Sequence, residues 1–342
     1  MEFSYNDLPV VQPVLGINDK WKQSIKLSSS IPYSGTNASS ASGRLVNVVT
    51  ANITTTPNWA AAKGGIALAS VPAINAALYA NLVAAAGVHG VVYIWDEIST
   101  PMADGQYVPF QQTNLALPGV FVQDSQSVKL LLEAASKDAS VTLTLPERRI
   151  ANTKTRTLYV IVNGIDPALK KETVLITTHT DGGNALEENG HIALLSYARQ
   201  LKAGPPRRTT ILVFVSGHMH YGEFAAPPGR ASTVWLNAHP ELWNGTDGRK
   251  AVFGSCVEHM GGIQLSHDLS KNTYEPNGLV EPEWLFASTA KLANLTQGLW
   301  KGVEVNVTRI LDPLTGTIPQ SGEGLPLLAA DIPEVSLVTS PP

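Results

Sequence analysis

The chain carries a single cysteine, Cys256, in 342 residues, so it can form neither an internal disulfide nor a thiolate metal cluster. Any metal it holds must be held by imidazole and carboxylate groups. Charge is scarce too. Charged residues make up 15% of the chain, the formal net charge is −4 and no basic block occurs, which argues against a nucleic-acid or anionic-membrane partner. No apolar run reaches the ~20 residues that a membrane-spanning helix needs. The longest, over 67–88, is broken by Pro72, Asn75 and Asn81. Gly-x-Ser-x-Gly is missing, which disfavours a serine hydrolase of the α/β type. Gly-x-Gly-x-x-Gly and phosphate-loop patterns are missing as well. The first residues, MEFSYNDLP, have neither the charged nor the apolar part of a signal peptide.

What remains is a globular composition, 44% hydrophobic, in a chain long enough for two domains. Residues 1–43 read as irregular and end in a Ser/Gly-rich stretch. Strand and helix patterns then alternate. Strands are expected at 65–69, 90–95, 117–122 and 141–145, and helices at 74–86 and 125–136. From Asn152 onward the apolar runs lengthen. Strands are expected at 157–163, 173–178, 209–215, 251–253 and 334–338, and helices at 192–201 and 283–299. Long apolar runs alternating with helices imply a mostly parallel sheet covered on both faces.

One stretch carries most of the chemical information. The apolar run Thr173–Thr178 ends in His179-Thr-Asp181 and passes through the acidic loop Asn184-Ala-Leu-Glu-Glu-Asn-Gly190 into a helix. A strand that ends in His-x-Asp at its carboxyl end is placed where open α/β sheets bind ligands. His179 with Asp181 also reads as a hydrogen-bonded pair at a strand end, and Glu187 and Glu188 also read as first-turn carboxylates favoured by the helix dipole. His218 and His220 flank Met219 just beyond the 209–215 strand, which points them toward a cleft. Cys256 reads as a small buried residue.

Two resemblances follow from these residues. Over roughly 45–145, a Gly-Ile-Ala-Leu strand, a helix ending in Ala-Ala-Gly-Val, a Gly-Val-Val-Tyr strand and Leu-Pro-Gly-Val-Phe resemble the protease-associated domain. Over about 152–340 the chain resembles the zinc aminopeptidase family, which also contains glutamate carboxypeptidases and glutaminyl cyclases. The shared landmarks are His179-Thr-Asp181, the acidic loop and its helix, the strand Thr210–Val215 leading to Gly222, Glu258-His-Met-Gly261, and the closing segment from Ser321 to Val335.

The resemblance implies a three-layer α/β domain, with a mixed or mostly parallel sheet between helices, and a smaller inserted protease-associated α/β domain. It implies the division 1–43, a segment packing on the catalytic-type domain; 44–147, the protease-associated domain; and 148–342, the aminopeptidase-like domain. It implies His179, Glu188 and Glu258 as metal ligands, with Asp181 fixing the His179 ring. Glu188, or failing that Glu187, stands for the family's bridging acid, and Glu187 is otherwise a candidate catalytic acid. Yet where the family has its glutamate base and the next acidic ligand, this chain has Met219 and His220. The family's closing histidine is missing, and Glu323 is the nearest substitute.

At most one zinc is therefore expected, and a metal-free site is the alternative. His220 and His218 are left to carry acid–base chemistry on a small-molecule or peptide-like substrate. The reaction expected is an altered hydrolysis. A cyclisation or isomerisation, or ligand or protein binding without catalysis, are the alternatives. Asn-x-Ser/Thr sequons at Asn37, Asn52, Asn244, Asn294 and Asn306 suggest a secretory origin with the leader outside this chain; an intracellular protein with chance sequons is the alternative.

Overall fold

A computed structural model of the chain describes residues 2–7, 14–18, 23–30, 40–48, 57–70, 73–95, 117–145, 148–181, 189–218, 230–258, 260, 263–271, 273–280, 283–300, 307–311, 320 and 322–339. The chain forms two compact units, one of residues 2–153 and 266–276, the other of residues 154–265 and 277–342.

In the first unit, β1 (Glu2–Asp7) pairs with β10 (Arg148–Lys154). The remaining strands are β2 (Val14–Ile17), β3 (Gln23–Ile25), β4 (Ser29–Ser30), β5 (Ser40–Asn47), β6 (Ile66–Ser70), β7 (Gly90–Ile94), β8 (Gly119–Val122) and β9 (Ser140–Thr144). They form one eight-stranded sheet in the order β3-β2-β9-β5-β6-β7-β8-β4. Its centre, β5 to β8, is parallel. The apolar runs of β6, β7 and β8 are buried on both faces, as parallel strands require. Helix α1 (Ala73–Ala85) joins β6 to β7, and α2 (Ser125–Ser136) joins β8 to β9. The second helix starts where Asp124 accepts the Ser127 N–H at 2.8 Å, and it seats Leu131 and Ala134 in the core.

One expectation changes here. Residues 14–17 and 23–25, read as irregular, form strands. The short apolar strand Val14-Leu-Gly-Ile17 pairs with β9, and Leu15 and Ile17 join the core of the first unit.

The second unit is built on a seven-stranded mixed sheet. Its strands are β11 (Leu158–Val162), β12 (Glu172–His179), β13 (Thr209–Val215), β14 (Lys250–Val257), β17 (Glu283–Ala287), β18 (Val307–Leu311) and β19 (Glu334–Thr339), in the order β11-β13-β12-β14-β19-β17-β18. A separate pair of strands is formed by β15 (Ile263–Asp268) and β16 (Thr273–Val280). The four strands β13, β12, β14 and β19 run parallel.

Every residue of β13 is buried, and its alternation sorts the layers. Leu212 and Phe214 meet Leu194 and Leu201 of α3 (Gly190–Ala203). Ile211, Val213 and Val215 meet Trp235 and Leu236 of α4 (Ala231–Ala238) and Leu327 of α6 (Leu325–Ala329). The domain is thus the three-layer α/β arrangement expected, with helices on both faces of a mixed sheet.

The helical pattern read over 283–299 divides in two. Residues 283–287 are β17, paired with β19 and β18, and only Ala290–Trp300 is helix, α5. The run Leu285-Phe-Ala287 is buried, and the Thr289 side chain receives the Leu292 N–H at the helix start. A short apolar run followed by Ser-Thr is a strand with a cap, and its period alone does not separate it from a helix.

Candidate metal centre

Parallel pairing brings three strand ends together. His179, the last residue of β12, is level with Val215 at the end of β13, and Thr177 is level with Cys256 near the end of β14. The Thr180 N–H extends the first pairing by reaching the Val215 carbonyl at 2.9 Å. The residues that follow these ends, His218 after β13 and Glu258 after β14, therefore converge on His179. All three are buried. One ligand atom from each lies within 4.8 Å of the other two. The imidazoles of His179 and His218 are stacked, with centroids 4.1 Å apart and planes 16° from parallel.

Hydrogen bonds decide which ligand atoms these are. The Asp181 backbone carbonyl lies 2.7 Å from Nδ1 of His179. A carbonyl only accepts, so Nδ1 carries the hydrogen, and in the neutral ring the lone pair belongs to Nε2. The Asp181 carboxylate serves the neighbouring strand end: its Oδ1 accepts the N–H groups of Gly217 and His218 at 2.9 and 3.2 Å. Asp181 thus holds both histidines, one ring through its main chain and one backbone through its side chain.

Nδ1 of His218 faces Oε1 of Glu323 at 2.9 Å. Oε2 of the same carboxylate accepts both the N–H and the hydroxyl of Ser232, at 2.7 and 2.6 Å, in the first turn of α4. Burial works to raise the Glu323 pKa, but His218 and Ser232 outweigh it and hold the group at about 2. Glu323 is therefore an acceptor, so Nδ1 of His218 carries a hydrogen, and in the neutral ring the lone pair belongs to Nε2.

Oε1 of Glu258 accepts the Glu323 N–H at 2.5 Å and the Cys256 thiol at 3.0 Å. Burial, reinforced by the charge of Glu258, pushes the thiol pKa well above its ordinary range, so Cys256 is a donor here and not a nucleophile. Oε2 of Glu258 is buried and has no hydrogen-bond partner among the described residues. Beside it lies Gly322, whose missing side chain leaves room for the carboxylate. A buried carboxylate oxygen without a partner costs about 1–3 kcal/mol or more. Two lone-pair nitrogens and that oxygen form a donor set suited to zinc, which takes nitrogen and carboxylate ligands.

Of the residues singled out from the sequence, His179, His218 and Glu258 meet, and Asp181 and Glu323 support them. Glu187, Glu188, Met219 and His220 lie outside the described residues. The sequence reading gave His218 an acid–base role. Its position beside His179 and Glu258 came instead from the register of β13 against β12. Ser232 was not read from the sequence at all, because nothing local marks a serine that meets a carboxylate 91 residues away.

Similarity to solved structures agrees with this architecture. A zinc aminopeptidase from Bacillus subtilis matches with a TM-score of 0.62 at 15% identity, over 100% of this chain and 75% of that one. An aminopeptidase from Aneurinibacillus sp. strain AM-1 matches at 0.60 and 12% identity, over 100% and 74%. A peptidase M28 precursor from Shewanella amazonensis SB2B matches at 0.60 and 16%, over 98% and 75%. The fold is that of the zinc aminopeptidases. No protein-family model matches the sequence, and no curated protein does. On this zinc-aminopeptidase fold, the three donors occupy the carboxyl ends of adjacent parallel strands, the location that open α/β sheets reserve for ligands.

Proposed function

We propose that this chain is a divergent enzyme of the zinc-aminopeptidase fold. It binds one zinc through His179, His218 and Glu258 and acts on a small-molecule or peptide-like substrate at the ends of β12, β13 and β14. The observation that supports this most is the orphaned Oε2 of Glu258 beside two imidazoles whose Nδ1 atoms are engaged elsewhere. Three protein ligands are the number that catalytic zinc sites use. Zinc held by such a set polarises a carbonyl and brings a water toward ionisation near neutral pH.

The protein's own groups do the rest. Asp181 fixes the His179 ring and the backbone of His218. The carboxylate of Glu323 has both oxygens committed, to His218 and Ser232, so it does not serve as a base. The resemblance places Met219 where the zinc aminopeptidases have their glutamate base, so this reaction does not draw a proton acceptor from that position.

Metal analysis tests the reading. After dialysis against zinc and removal of loosely held metal, one zinc per chain is expected, and His179→Ala is expected to retain none. Two zinc ions per chain, or none in the unsubstituted protein, would sink it.

A further inference from the structure

Glu323 touches the other two members of the proposed donor set at once, through different parts of the same residue. Its carboxylate faces Nδ1 of His218 at 2.9 Å, and its backbone N–H lies 2.5 Å from Oε1 of Glu258. We propose that Glu323 is a positioning residue that selects the ligand atoms of this site, making Nε2 the ligand atom of His218 and Oε2 that of Glu258. The proposal rests on the single-zinc reading above and assigns the residue that organises it.

The geometry carries the argument. Glu323 is completely buried, in the turn that precedes α6. Its Oε2 accepts two donors, the N–H and the hydroxyl of Ser232, which leaves no hydrogen on that oxygen to turn toward solvent or toward the histidine. Among the described residues its Oε1 meets the Nδ1 of His218, and toward this carboxylate that nitrogen donates. One tautomer of His218 is stabilised, with hydrogen on Nδ1 and the lone pair on Nε2. Carboxylates paired with metal-binding histidines set the tautomer in this manner and raise the basicity of the ligand.

The main-chain contact has the complementary effect. It and the Cys256 thiol occupy Oε1 of Glu258, so the coordinating role falls to Oε2. Gln320, in the same loop, donates to the Ser336 hydroxyl at 3.1 Å, and this anchors the segment that carries Glu323. A segment of this kind, in which the resemblance finds no ligating histidine, can still govern metal binding without touching the metal.

The test uses the whole chain labelled with 15N-histidine. Long-range 1H–15N spectra of the zinc-free protein report the His218 tautomer, and zinc titration against a competing chelator reports affinity. In the unsubstituted protein, His218 is expected to be hydrogenated at Nδ1. Glu323→Gln is expected to shift it toward the Nε2–H form, because an amide can turn its NH2 to the ring, and to weaken zinc binding by about 10–100-fold. Ser232→Ala is the gentler variant, should Glu323→Gln fail to fold. It removes one of the two donors to Oε2 and is expected to weaken zinc binding by about 2–10-fold. An Nε2–H tautomer in the unsubstituted protein would overturn the proposal. So would unchanged tautomer and affinity in the soluble variants. Failure of the single-zinc reading is separately visible: the unsubstituted protein would then bind no zinc, while the zinc-free spectra would still report whether Glu323 sets the tautomer.

Discussion

Gly322→Ala is expected to cost about 3 kcal/mol of stability and to abolish tight zinc binding. Two independent effects combine at this residue. Its φ is +81°, in the left-handed region, where an L side chain costs roughly 1–2 kcal/mol. Its added Cβ would also overlap Oε2 of Glu258, lying 3.0 Å from Cδ and 3.1 Å from Oε1. The neighbour is a buried carboxylate held by the Glu323 N–H and the Cys256 thiol, so it cannot swing aside as a surface side chain could. Forcing an extra carbon into such a packed site typically costs about 1–3 kcal/mol. The oxygen displaced is the one proposed to coordinate, so stability and metal affinity should fall together. Urea denaturation and zinc titration on the same variant check this. Unchanged affinity in a destabilised protein would show that Oε2 does not coordinate.

The sheet and its layers were largely legible because they follow from periodicity. The seven residues of β13 are continuously apolar, which is the signature of a strand buried on both faces, and its limits were read without error. The helix at Ser125–Ser136 is equally plain from its periodicity, whereas its Asp124 cap comes from the structure. The strand at Glu283–Ala287 was not, because an apolar run of that length fits either period until its partners, β18 and β19, are known.

The site divides along the same line. His179 is legible from its place at a strand end, and Glu258 from the resemblance carried by Glu258-His-Met-Gly261. The link of His218 to Glu323 spans 105 residues, and that of Glu323 to Glu258 spans 65. Both depend on where the turn before α6 lies against the ends of β13 and β14. No local pattern encodes that placement. The closing segment reads as lacking its histidine, with Glu323 as the nearest substitute, but only the fold gives that carboxylate its partners His218 and Ser232.

A second buried carboxylate, Glu334 at the start of β19, should make the stability of the protein depend on pH in the sense opposite to Glu323. Its side chain accepts the Ser336 hydroxyl through Oε2, while Oε1 is buried with no hydrogen-bond partner among the described residues. Burial raises its pKa from 4.5 to about 7, against the lowering effect of Ser336 and Gln320. The folded chain thus holds a proton that the unfolded chain has released between these two values. The stability this group contributes is complete below about pH 4.5 and is lost as pH rises through 7. Glu323 acts the other way. Its pKa falls from 4.5 to about 2, so its contribution is complete above 4.5 and is lost as pH drops toward 2.

From these two groups alone, the fold is most stable between the two losses, and the alkaline side is the one set by Glu334. Glu334→Gln mimics the protonated acid and removes that side. Relative to the unsubstituted protein it is expected to stabilise by under about 1 kcal/mol at pH 5 and by up to about 3 kcal/mol at pH 8. Denaturant titrations of both proteins at the two pH values give the difference directly. The same increment at pH 5 and pH 8 would mean that Glu334 does not change its charge in this range, and that its unpartnered oxygen is tolerated as an anion.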